Sequence, residues 1–426
     1  MEKLTANIKK IKIRDLAVFL AWFVILGMVY SPFLLSVAMI GYGVLAFFSL
    51  EGGRPVLNPD LTKHFRFYLS DKAYWVISLI FFLVLFSGIL TESGNFAYWG
   101  ERIRLKIAFL LFPFAFASLP PITDKAFKGV MYFFVGVMFF TCLGIGIHYI
   151  IHFEEINHLI HQGQPMPTPR NHIRFSLLLA YSIFTAFYLF KKKFTLKYEW
   201  ERPLMLGITG FLFLFLHLLS VRSGLVAFYM TAVVLILRRA WVSKKYFQGL
   251  ALVALMAAIP VIAYRAIPSF KAKVDYSLYD RWIRQHDLSQ NDYSDGGRVV
   301  SIKMGLEIGN DYPLLGVGAG NLRQEVINRY AQKFQEDMEP KMPHNQLVSI
   351  YAGTGFVGLG LFLFAFFFPL FYKKAYRHTL FLSFHIIVFL SFMVENTIEN
   401  SIGIAFYLFF LLLSLNYQTK DRIMEE

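Results

Sequence analysis

The chain has 426 residues, of which 56% are hydrophobic, 18% aromatic and only 16% charged. This composition excludes a string of soluble domains and predicts a polytopic membrane protein. The net charge of +14 does not indicate a nucleic-acid partner, because the basic residues lie mostly in short loops beside apolar runs. In such loops they set membrane topology and bind lipid headgroups. We therefore expect membrane lipid, and no nucleic acid, among the partners.

Apolar runs long enough to cross a bilayer recur along the chain, and they predict about twelve membrane-spanning helices. The predicted spans are roughly 16–30, 32–50, 73–90, 105–119, 128–152, 174–190, 203–220, 224–238, 246–264, 345–371, 379–394 and 401–417. The predicted fold class is an all-α polytopic membrane protein. It divides into spans 1 to 9 (1–264), one long polar loop (265–344), and spans 10 to 12 with a short tail (345–426).

Lysine and arginine are concentrated in the short loops on the same side as the N-terminus. The positive-inside rule then places both termini in the cytoplasm and the long loop on the outer side. That side holds no ATP and no nucleotide sugars. A transfer reaction there needs a donor that is already activated, such as a lipid diphosphate sugar.

Arg222 stands in the sequence Ser-Val-Arg-Ser-Gly between two apolar runs. An arginine costs about 2.5–3.5 kcal/mol at mid-bilayer, and less near the interface. Its planar guanidinium matches phosphate oxygens and keeps its charge, which favours an anion clamp. The alternative is an arginine at a helix end that reaches the membrane interface.

Arg298 follows Gly296 and Gly297, which permit a tight turn, and it opens a helix-like run from Val299 to Ile308. A diphosphate leaving group needs about two positive charges when no metal supplies them. Arg298 and Arg222 would together provide those charges. The alternative for Arg298 is a solvated loop arginine.

His344 directly precedes the tenth span. Imidazole is the usual general base near neutral pH, and the positive end of the following helix favours its neutral form. The alternative is a histidine that only caps the helix at the interface. We expect Arg222, Arg298 and His344 to form one catalytic site.

Two weaker sets of candidates accompany these three residues. The basic turn with Arg170, His172 and Arg174 would bind donor phosphate or acceptor, or alternatively lipid headgroups. Glu395 and Glu399 in the last outer loop would orient a base or bind a hydroxyl, or alternatively be solvated.

Five histidines, at 148, 152, 158, 161 and 172, have spacings that would suit zinc. No cysteine or well-placed carboxylate completes a set, so we expect no metal and no cofactor.

Two patterns in the long loop predict local structure. The repeat of Leu322, Val326, Tyr330 and Phe334 predicts an amphipathic helix against the membrane surface or the bundle. The run 316–320 is Gly-Val-Gly-Ala-Gly, which lacks the G-x-G-x-x-G spacing of a dinucleotide loop. We expect it to be a turn that folds the loop back.

The second half of the chain resembles the O-antigen ligase family and its relatives, the O-antigen polymerases and protein O-oligosaccharyltransferases. The resemblance is carried by short motifs in a fixed order: Arg222-Ser223-Gly224, Gly297-Arg298, Pro313-Leu-Leu-Gly316-Val-Gly318-Ala-Gly320-Asn321, His344-Asn345 and Gly353-x-Gly355-x-x-Gly358. The first half matches that family only in its hydropathy.

The resemblance implies a glycosyltransferase C-like helical bundle in the bacterial inner membrane with a periplasmic active site. It implies metal-independent, inverting transfer from an undecaprenyl diphosphate-linked glycan. Arg222 and Arg298 would hold the diphosphate, His344 would activate the acceptor hydroxyl, and Asn321 and Asn345 of the motifs would contact substrate. The first outer loops lack an acidic pair of the Asp-x-Asp type, which argues against a metal-dependent oligosaccharyltransferase.

The expected function is that of a ligase that moves a polysaccharide onto a lipid A–core acceptor. Two alternatives stay open. An O-antigen polymerase would use the same donor with a different acceptor, and a lipid-linked saccharide transporter would also need basic residues on its outer side.

Overall fold

The computed structural model describes residues 13–51, 54–285, 294–334 and 338–424. Most of them are helical. The helices are α1 (Ile13–Val29), α2 (Pro32–Phe47), α3 (Leu61–Ser70), α4 (Lys72–Trp75), α5 (Leu79–Phe86), α6 (Phe96–Lys106), α7 (Ala108–Ser118), α8 (Asp124–Ile151), α9 (Phe153–His161), α10 (His172–Lys191), α11 (Glu201–Leu219), α12 (Arg222–Ser243), α13 (Tyr246–Ala266), α14 (Pro268–Gln285), α15 (Ser294–Asp311), α16 (Leu322–Phe334), α17 (Gln346–Phe371), α18 (Thr379–Phe392) and α19 (Ser401–Met424).

The predicted all-α class is confirmed. Within the described residues, eight helical stretches are long and apolar enough to cross a membrane: Lys72–Leu90, Asp124–Ile151, His172–Lys191, Glu201–Leu219, Arg222–Ser243, Tyr246–Ala266, Gln346–Arg377 and Ser401–Gln418. Two shorter apolar helices, Pro32–Phe47 and Thr379–Phe392, accompany them.

Each of the twelve predicted spans falls on a helix, but some of these helices are short. α1 has 17 residues and α7 has 11, whereas a full crossing takes about 20. Pro120 and Pro121 come one residue after the end of α7, and two successive prolines disfavour a helix because each lacks the N–H and clashes with the preceding turn.

One short hairpin was not predicted. Strands β1 (Phe48–Glu51) and β2 (Arg54–Leu57) pair antiparallel directly after α2, with Phe48 opposite Leu57. The predicted second span extends to residue 50, so its last residues form a strand instead of a helix.

The chain forms two compact units that interleave along the sequence. Unit 1 comprises Met1–Val130, Arg298–Arg377 and Glu395–Glu426, and unit 2 comprises Met131–Gly297 and His378–Val394. The division into 1–264, 265–344 and 345–426 stays a prediction, because the units group helices by packing and not by compartment.

The centre of unit 1 is α19, in which every residue from Ile404 to Asn416 is buried. A helix that is apolar on all sides must be enclosed by others, and α19 packs against α1, α2 and α7. Asn416, the last residue of this buried stretch, has its side chain hydrogen-bonded: it accepts from the Ile122 N–H at 2.8 Å and donates to the Phe116 carbonyl at 3.2 Å.

A second core in unit 1 lies between α15, α16 and α17. It contains Met304 and Ile308 of α15, Leu322, Val326 and Tyr330 of α16, and Ala352 of α17, with Phe334 partly buried against it. The amphipathic helix predicted at 322–334 is confirmed, and its apolar face covers protein.

The glycine-rich loop also packs on α17. The Gly318 N–H donates to the Gly353 carbonyl at 2.9 Å, and the Phe356 N–H donates to the Pro313 carbonyl at 2.8 Å. α17 is interrupted at Gly355, which has φ +64°. The two bonds satisfy backbone groups that the interruption leaves without partners inside the helix. The run 316–320 therefore folds back, as predicted, onto a helix whose own hydrogen-bond ladder is interrupted.

Unit 2 is built around α10, which packs against α11, α12 and α18. The fully buried Tyr181 of α10 contacts the rings of Phe134 and Phe384 at centroid distances of 5.8 and 5.3 Å. α14 packs against α9, α11 and α13, and it contributes the part of the long loop that belongs to this unit.

Candidate functional site

Arg298 and His344 are joined in unit 1 through a residue that the sequence did not single out. The hydroxyl of Ser301 donates to the Arg298 carbonyl at 2.8 Å and accepts from the His344 backbone N–H at 3.2 Å. Ser301 is fully buried. This one hydroxyl fixes the start of α15 to the start of α17, and so sets the backbone of both predicted catalytic residues.

The imidazole of His344 is half-buried and has no hydrogen-bond partner in the part of the chain that the structure describes. Burial lowers the pKa of His344 below its usual value, the charge of Glu395 opposes this, and the charges of Arg298 and Lys341 add to it. A lowered pKa keeps the ring neutral at neutral pH. Only a neutral imidazole can accept a proton, so the environment suits a general base.

Glu399 is held by several partners, so the alternative that it is merely solvated is wrong. Its carboxylate lies 2.7 Å from the Lys106 ammonium and 3.4 Å from the Arg102 guanidinium. It also accepts from the Gln346 amide at 2.9 Å. Burial raises the pKa of Glu399, but Lys106, Gln346 and Arg102 together bring it below the usual value.

This cluster ties three distant segments of unit 1 together. Lys106 ends α6 and is 2% exposed, Gln346 begins α17, and Glu399 lies in the turn before α19. Gln346 also accepts from the Ile398 N–H at 3.0 Å. The residue that begins α17, two positions after His344, is therefore fixed to α6 through Glu399.

The two asparagines of the motifs have clear local partners. Asn321 accepts from the Glu92 N–H and from the Asn95 amide, both at 3.0 Å, and donates to the carbonyls of Leu90 and Val317 at 2.7 and 2.9 Å. The amide thus holds the glycine-rich loop against the turn after α5. A direct contact between Asn321 and substrate would require one of these bonds to break.

Asn345 is the N-cap of α17. Its side-chain oxygen accepts from the N–H groups of Leu347 and Val348 at 2.9 and 3.1 Å, as capping asparagines commonly do. The cap starts α17 directly after His344, which places the imidazole at the positive end of that helix.

Arg222 is in unit 2, where it is the first residue of α12 and is exposed. The motif has a glycine at position 224 because there is no room for a side chain there. A Cβ at this position would lie 2.5 Å from the Ser176 Cβ, so α10 and α12 touch at their first turns. The Ser176 and Ser223 hydroxyls are 3.5 Å apart there.

This contact brings the basic turn and Arg222 to the same end of unit 2. Asn171 caps α10 by accepting from the N–H groups of Ile173 and Arg174 at 3.0 and 3.3 Å. Arg170, His172 and Arg174 are half-buried around that cap.

Beside Arg222, unit 2 has a cavity of about 310 Å³ with a cationic lining. Lys273 and Arg281 of α14 line it together with Arg222, and among the described residues no acidic side chain does. Phe270, Val274 and Leu278 supply apolar lining on the same helix. A cavity with three cations and an apolar floor suits a phosphate group attached to a lipid.

The histidines near the end of α8 contact one another and their surroundings. The His148 and His152 rings lie 4.4 Å apart, and His158 contacts the Gln162 amide at 3.0 Å. Within the described ranges, no three His, Cys, Asp or Glu side chains are placed so that they could hold a metal ion.

The sequence did not reveal Ser301, Lys106, Lys273 or Arg281. Lys106 carried a signal, because a charge at the edge of an apolar run is costly without a partner. Lys273 and Arg281 share a helix face with Phe270, a pattern that becomes visible only once the bounds of α14 are known.

Residues 207–363 match the family model described as O-Antigen ligase. The match runs from α11 through most of α17 and contains Arg222, Arg298 and His344. It confirms the resemblance found in the second half of the sequence, and it supports a function of the general ligase or polymerase type. No curated protein matches the chain.

Proposed function

We propose that this chain, which belongs to the O-antigen ligase family, transfers a polysaccharide from undecaprenyl diphosphate to a lipid A–core acceptor. The proposed reaction is metal-independent, inverts the anomeric carbon and takes place on the periplasmic side of the bacterial inner membrane. The observation that carries the proposal is the Ser301 bridge, which fixes Arg298 beside a half-buried imidazole whose pKa is lowered.

In the proposed reaction His344 accepts the proton of an acceptor hydroxyl. The hydroxyl oxygen then forms a bond to the anomeric carbon from the face opposite the diphosphate. The bond between that carbon and the diphosphate oxygen breaks, and the diphosphate leaves with the electron pair. Attack from the opposite face inverts the configuration of the transferred sugar.

The leaving diphosphate gains negative charge as its bond breaks, so cations placed at its oxygens lower the barrier. We assign this role to Arg298 and Arg222. The cationic lining around Arg222, with Lys273 and Arg281, supports a phosphate ligand at that end of unit 2. Arg170, His172 and Arg174 are proposed as further contacts to donor or acceptor.

Arg222→Ala and Arg298→Ala should each lower kcat by about 10³-fold, by comparison with arginine clamps on phosphoryl groups. Lysine should restore little of this, because it lacks the planar fork that binds two oxygens. The test is the rate of transfer by purified protein with a defined lipid diphosphate donor. Near wild-type rates for either lysine variant would contradict a two-oxygen contact.

The polymerase alternative uses the same donor and the same chemistry, and only the acceptor differs. A deletion strain separates the two. Loss of a ligase leaves long lipid-linked chains that are absent from the lipid A–core, whereas loss of a polymerase leaves cores that bear single units. We predict the first result.

The transporter alternative belongs to another class, and His344 distinguishes it. A His344→Ala protein that binds donor but transfers no sugar supports the enzyme. The transporter would be supported if this variant moves donor lipid across vesicle membranes at the wild-type rate and the wild type transfers no sugar.

A further inference from the structure

The end of unit 2 opposite Arg222 has no role in the proposed transfer. α10 and α12 touch at their first turns, where Gly224 lies against Ser176, and α11 runs back from the end of α10 to the start of α12. α10 has 20 residues and α12 has 22, so each extends about 30 Å, the thickness of the hydrocarbon core of a bilayer. Their last turns therefore lie at one common end of unit 2, which we call the basic end (191–202 and 238–246).

Basic residues are concentrated at the basic end. They are Lys191, Lys192, Lys193, Lys197, Arg202, Arg238, Arg239, Lys244 and Lys245. The same two stretches contain only two acidic residues, Glu199 and Glu201. The Glu201 carboxylate accepts from the backbone N–H groups of residues 196–198, at 2.5, 3.1 and 3.0 Å, so it fixes the shape of the loop. Among the described residues, no lysine of the basic end forms an ion pair with a carboxylate.

Two of these lysines occupy backbone positions that normally belong to glycine. Lys193 and Lys244 have φ +51° and +55°, in the left-handed region where a residue with a side chain is strained. Each closes its helix with the hydrogen-bond pattern that usually has glycine at this point. After α10 the Phe194 N–H donates to the Leu189 carbonyl at 3.1 Å, and α12 ends in the same way. Glycine would satisfy this backbone without strain.

Lysine recurs at such positions in this chain. Five non-glycine residues among the described ones have a positive φ, and four of them are lysines: Lys193, Lys244, Lys373 and Lys374, of which the last two follow α17 in unit 1. A cation is favourable at a helix C-terminus, but Lys191 already supplies one in the last turn of α10. Strained residues cluster where proteins contact ligands. The left-handed lysines therefore indicate that their ammonium groups contact something beyond the helix.

Each of the two turns at the basic end also carries an exposed pair of tryptophan and tyrosine. The rings of Tyr198 and Trp200 stack with centroids 6.1 Å apart, and those of Trp241 and Tyr246 lie 6.0 Å apart. Tryptophan and tyrosine favour the level of the lipid headgroups. The lysines beside them therefore lie at the level of the phospholipid phosphates.

We propose that the basic end of unit 2 binds anionic phospholipids, with Lys193 and Lys244 in contact with the lipid phosphates. Setting membrane topology requires only that the lysines be present in a loop, and it gives no reason for a strained backbone beneath them. An ammonium group that contacts a phosphate oxygen gains a charge-assisted hydrogen bond. This site is separate from the cationic cavity beside Arg222, and the proposal does not depend on the transfer reaction.

The test is the affinity of the purified full chain for short-chain phosphatidylglycerol, measured by native mass spectrometry, with phosphatidylcholine as the neutral reference. Lys193→Gly combined with Lys244→Gly should weaken phosphatidylglycerol binding by about 25-fold, because each basic residue near an anionic surface contributes a factor of about five. Phosphatidylcholine binding should not change.

The same double variant should unfold at a higher temperature than the wild type in phosphatidylcholine nanodiscs, because glycine relieves the left-handed strain. Weaker lipid binding by a more stable protein separates contact with the lipid from a structural role of the lysines. If the glycine variant does not fold, Lys193→Asn combined with Lys244→Asn takes its place. Asparagine tolerates the left-handed conformation and should weaken binding to the same extent.

The matched control is Lys271→Gln combined with Lys303→Gln, which removes the same two charges from exposed positions on α14 and α15. Its affinity for phosphatidylglycerol should stay at the wild-type value. Wild-type affinity in a folded glycine or asparagine variant would overturn the inference, and so would an equal loss in the control, since net charge alone would then explain the binding. An equal rise in unfolding temperature with inorganic phosphate and with phosphatidylglycerol would also overturn it, because the site would then bind free phosphate and not a lipid.

Discussion

At the scale of single residues, the structure links the backbones of an arginine and a histidine that are 46 positions apart in sequence. The Ser301 hydroxyl is hydrogen-bonded to the backbone at both Arg298 and His344. The side chains themselves stay available for substrate, because the protein holds their backbones. His344 is neutral for a physical reason, namely burial, to which the Arg298 charge adds.

The rate of transfer should therefore fall on acidification only below the usual pKa of about 6.5 for histidine. The base works in its neutral form, and a lowered pKa extends that form to lower pH. Among the described groups, Glu395 is the charge that raises the pKa of His344. Glu395→Gln should shift the acid limb of the pH–rate profile to lower pH, and a shift to higher pH would contradict the assignment. Glu325→Gln, on α16, is the control and should leave the limb in place.

Ser301→Ala should lower kcat by about tenfold, equivalent to ~1.4 kcal/mol, because the His344 N–H loses its partner and the imidazole is no longer held in one position. Steady-state kinetics with the purified protein measure this. Ser182→Ala is the matched control, since Ser182 is also buried and donates to a carbonyl three residues earlier, that of Leu179. Equal rates for the two variants would show that the bridge does not position the base.

At the scale of elements, α17 carries the most information about the site. It begins with the cap at Asn345 and breaks at Gly355, where the loop 313–318 bonds to the freed backbone groups. The glycines in the two motifs, near 316 and near 355, are therefore partners in one structure. Any Cβ at Gly355 would lie 2.2 Å from the Leu314 carbonyl.

Gly355→Ala should destabilise the protein by at least about 1–3 kcal/mol, the cost of a left-handed non-glycine residue, and the clash with Leu314 adds to this. Thermal unfolding in detergent measures the loss. On the same helix, Gly360 is exposed, and a Cβ added there would meet no other atom within 4 Å. Gly360→Ala should be neutral or slightly stabilising, and a similar loss for both would argue against the break as a required feature.

Glu399→Ala should cost about 3–5 kcal/mol of unfolding free energy, because it leaves the buried Lys106 without its counter-ion. The Lys106 side chain is 3% exposed in this pair. Asp60→Ala removes the partner of Lys63, whose side chain is 81% exposed, and should lower the unfolding temperature far less, because water screens an exposed ion pair. Equal effects of these two variants in thermal unfolding would mean that the cluster does not hold α6 to the turn before α19.

At the scale of the whole molecule, the sequence predicted the elements better than their connections. Apolar runs and the four-residue repeat at 322–334 located the helices, because these patterns are local. The pair Lys106–Glu399 spans 293 positions, and the bond from the Glu92 N–H to Asn321 spans 229. Such pairings depend on packing between segments that are far apart in sequence. The first half of the sequence therefore predicted only apolar spans. In the structure it also contributes charged residues that are linked to α17.

In the long polar loop, too, the sequence predicted elements but not their packing partners. It was predicted as one segment, but α14 packs in unit 2 and α16 in unit 1. Arg298 and His344 could be proposed from the sequence because each stands beside a local signal, a glycine pair or a helix start. Ser301 was missed because serine inside a helix has no special pattern, and its role appears only when two segments meet.

The most direct test of the central claim is transfer by the purified full-length protein with undecaprenyl diphosphate-linked polysaccharide, lipid A–core acceptor and an excess of chelator. We predict transfer at the same rate with and without chelator, inverted anomeric configuration in the product by NMR, and no transfer by His344→Ala. Transfer by His344→Ala at the wild-type rate, or transfer that stops when chelator is added, would contradict the proposed reaction.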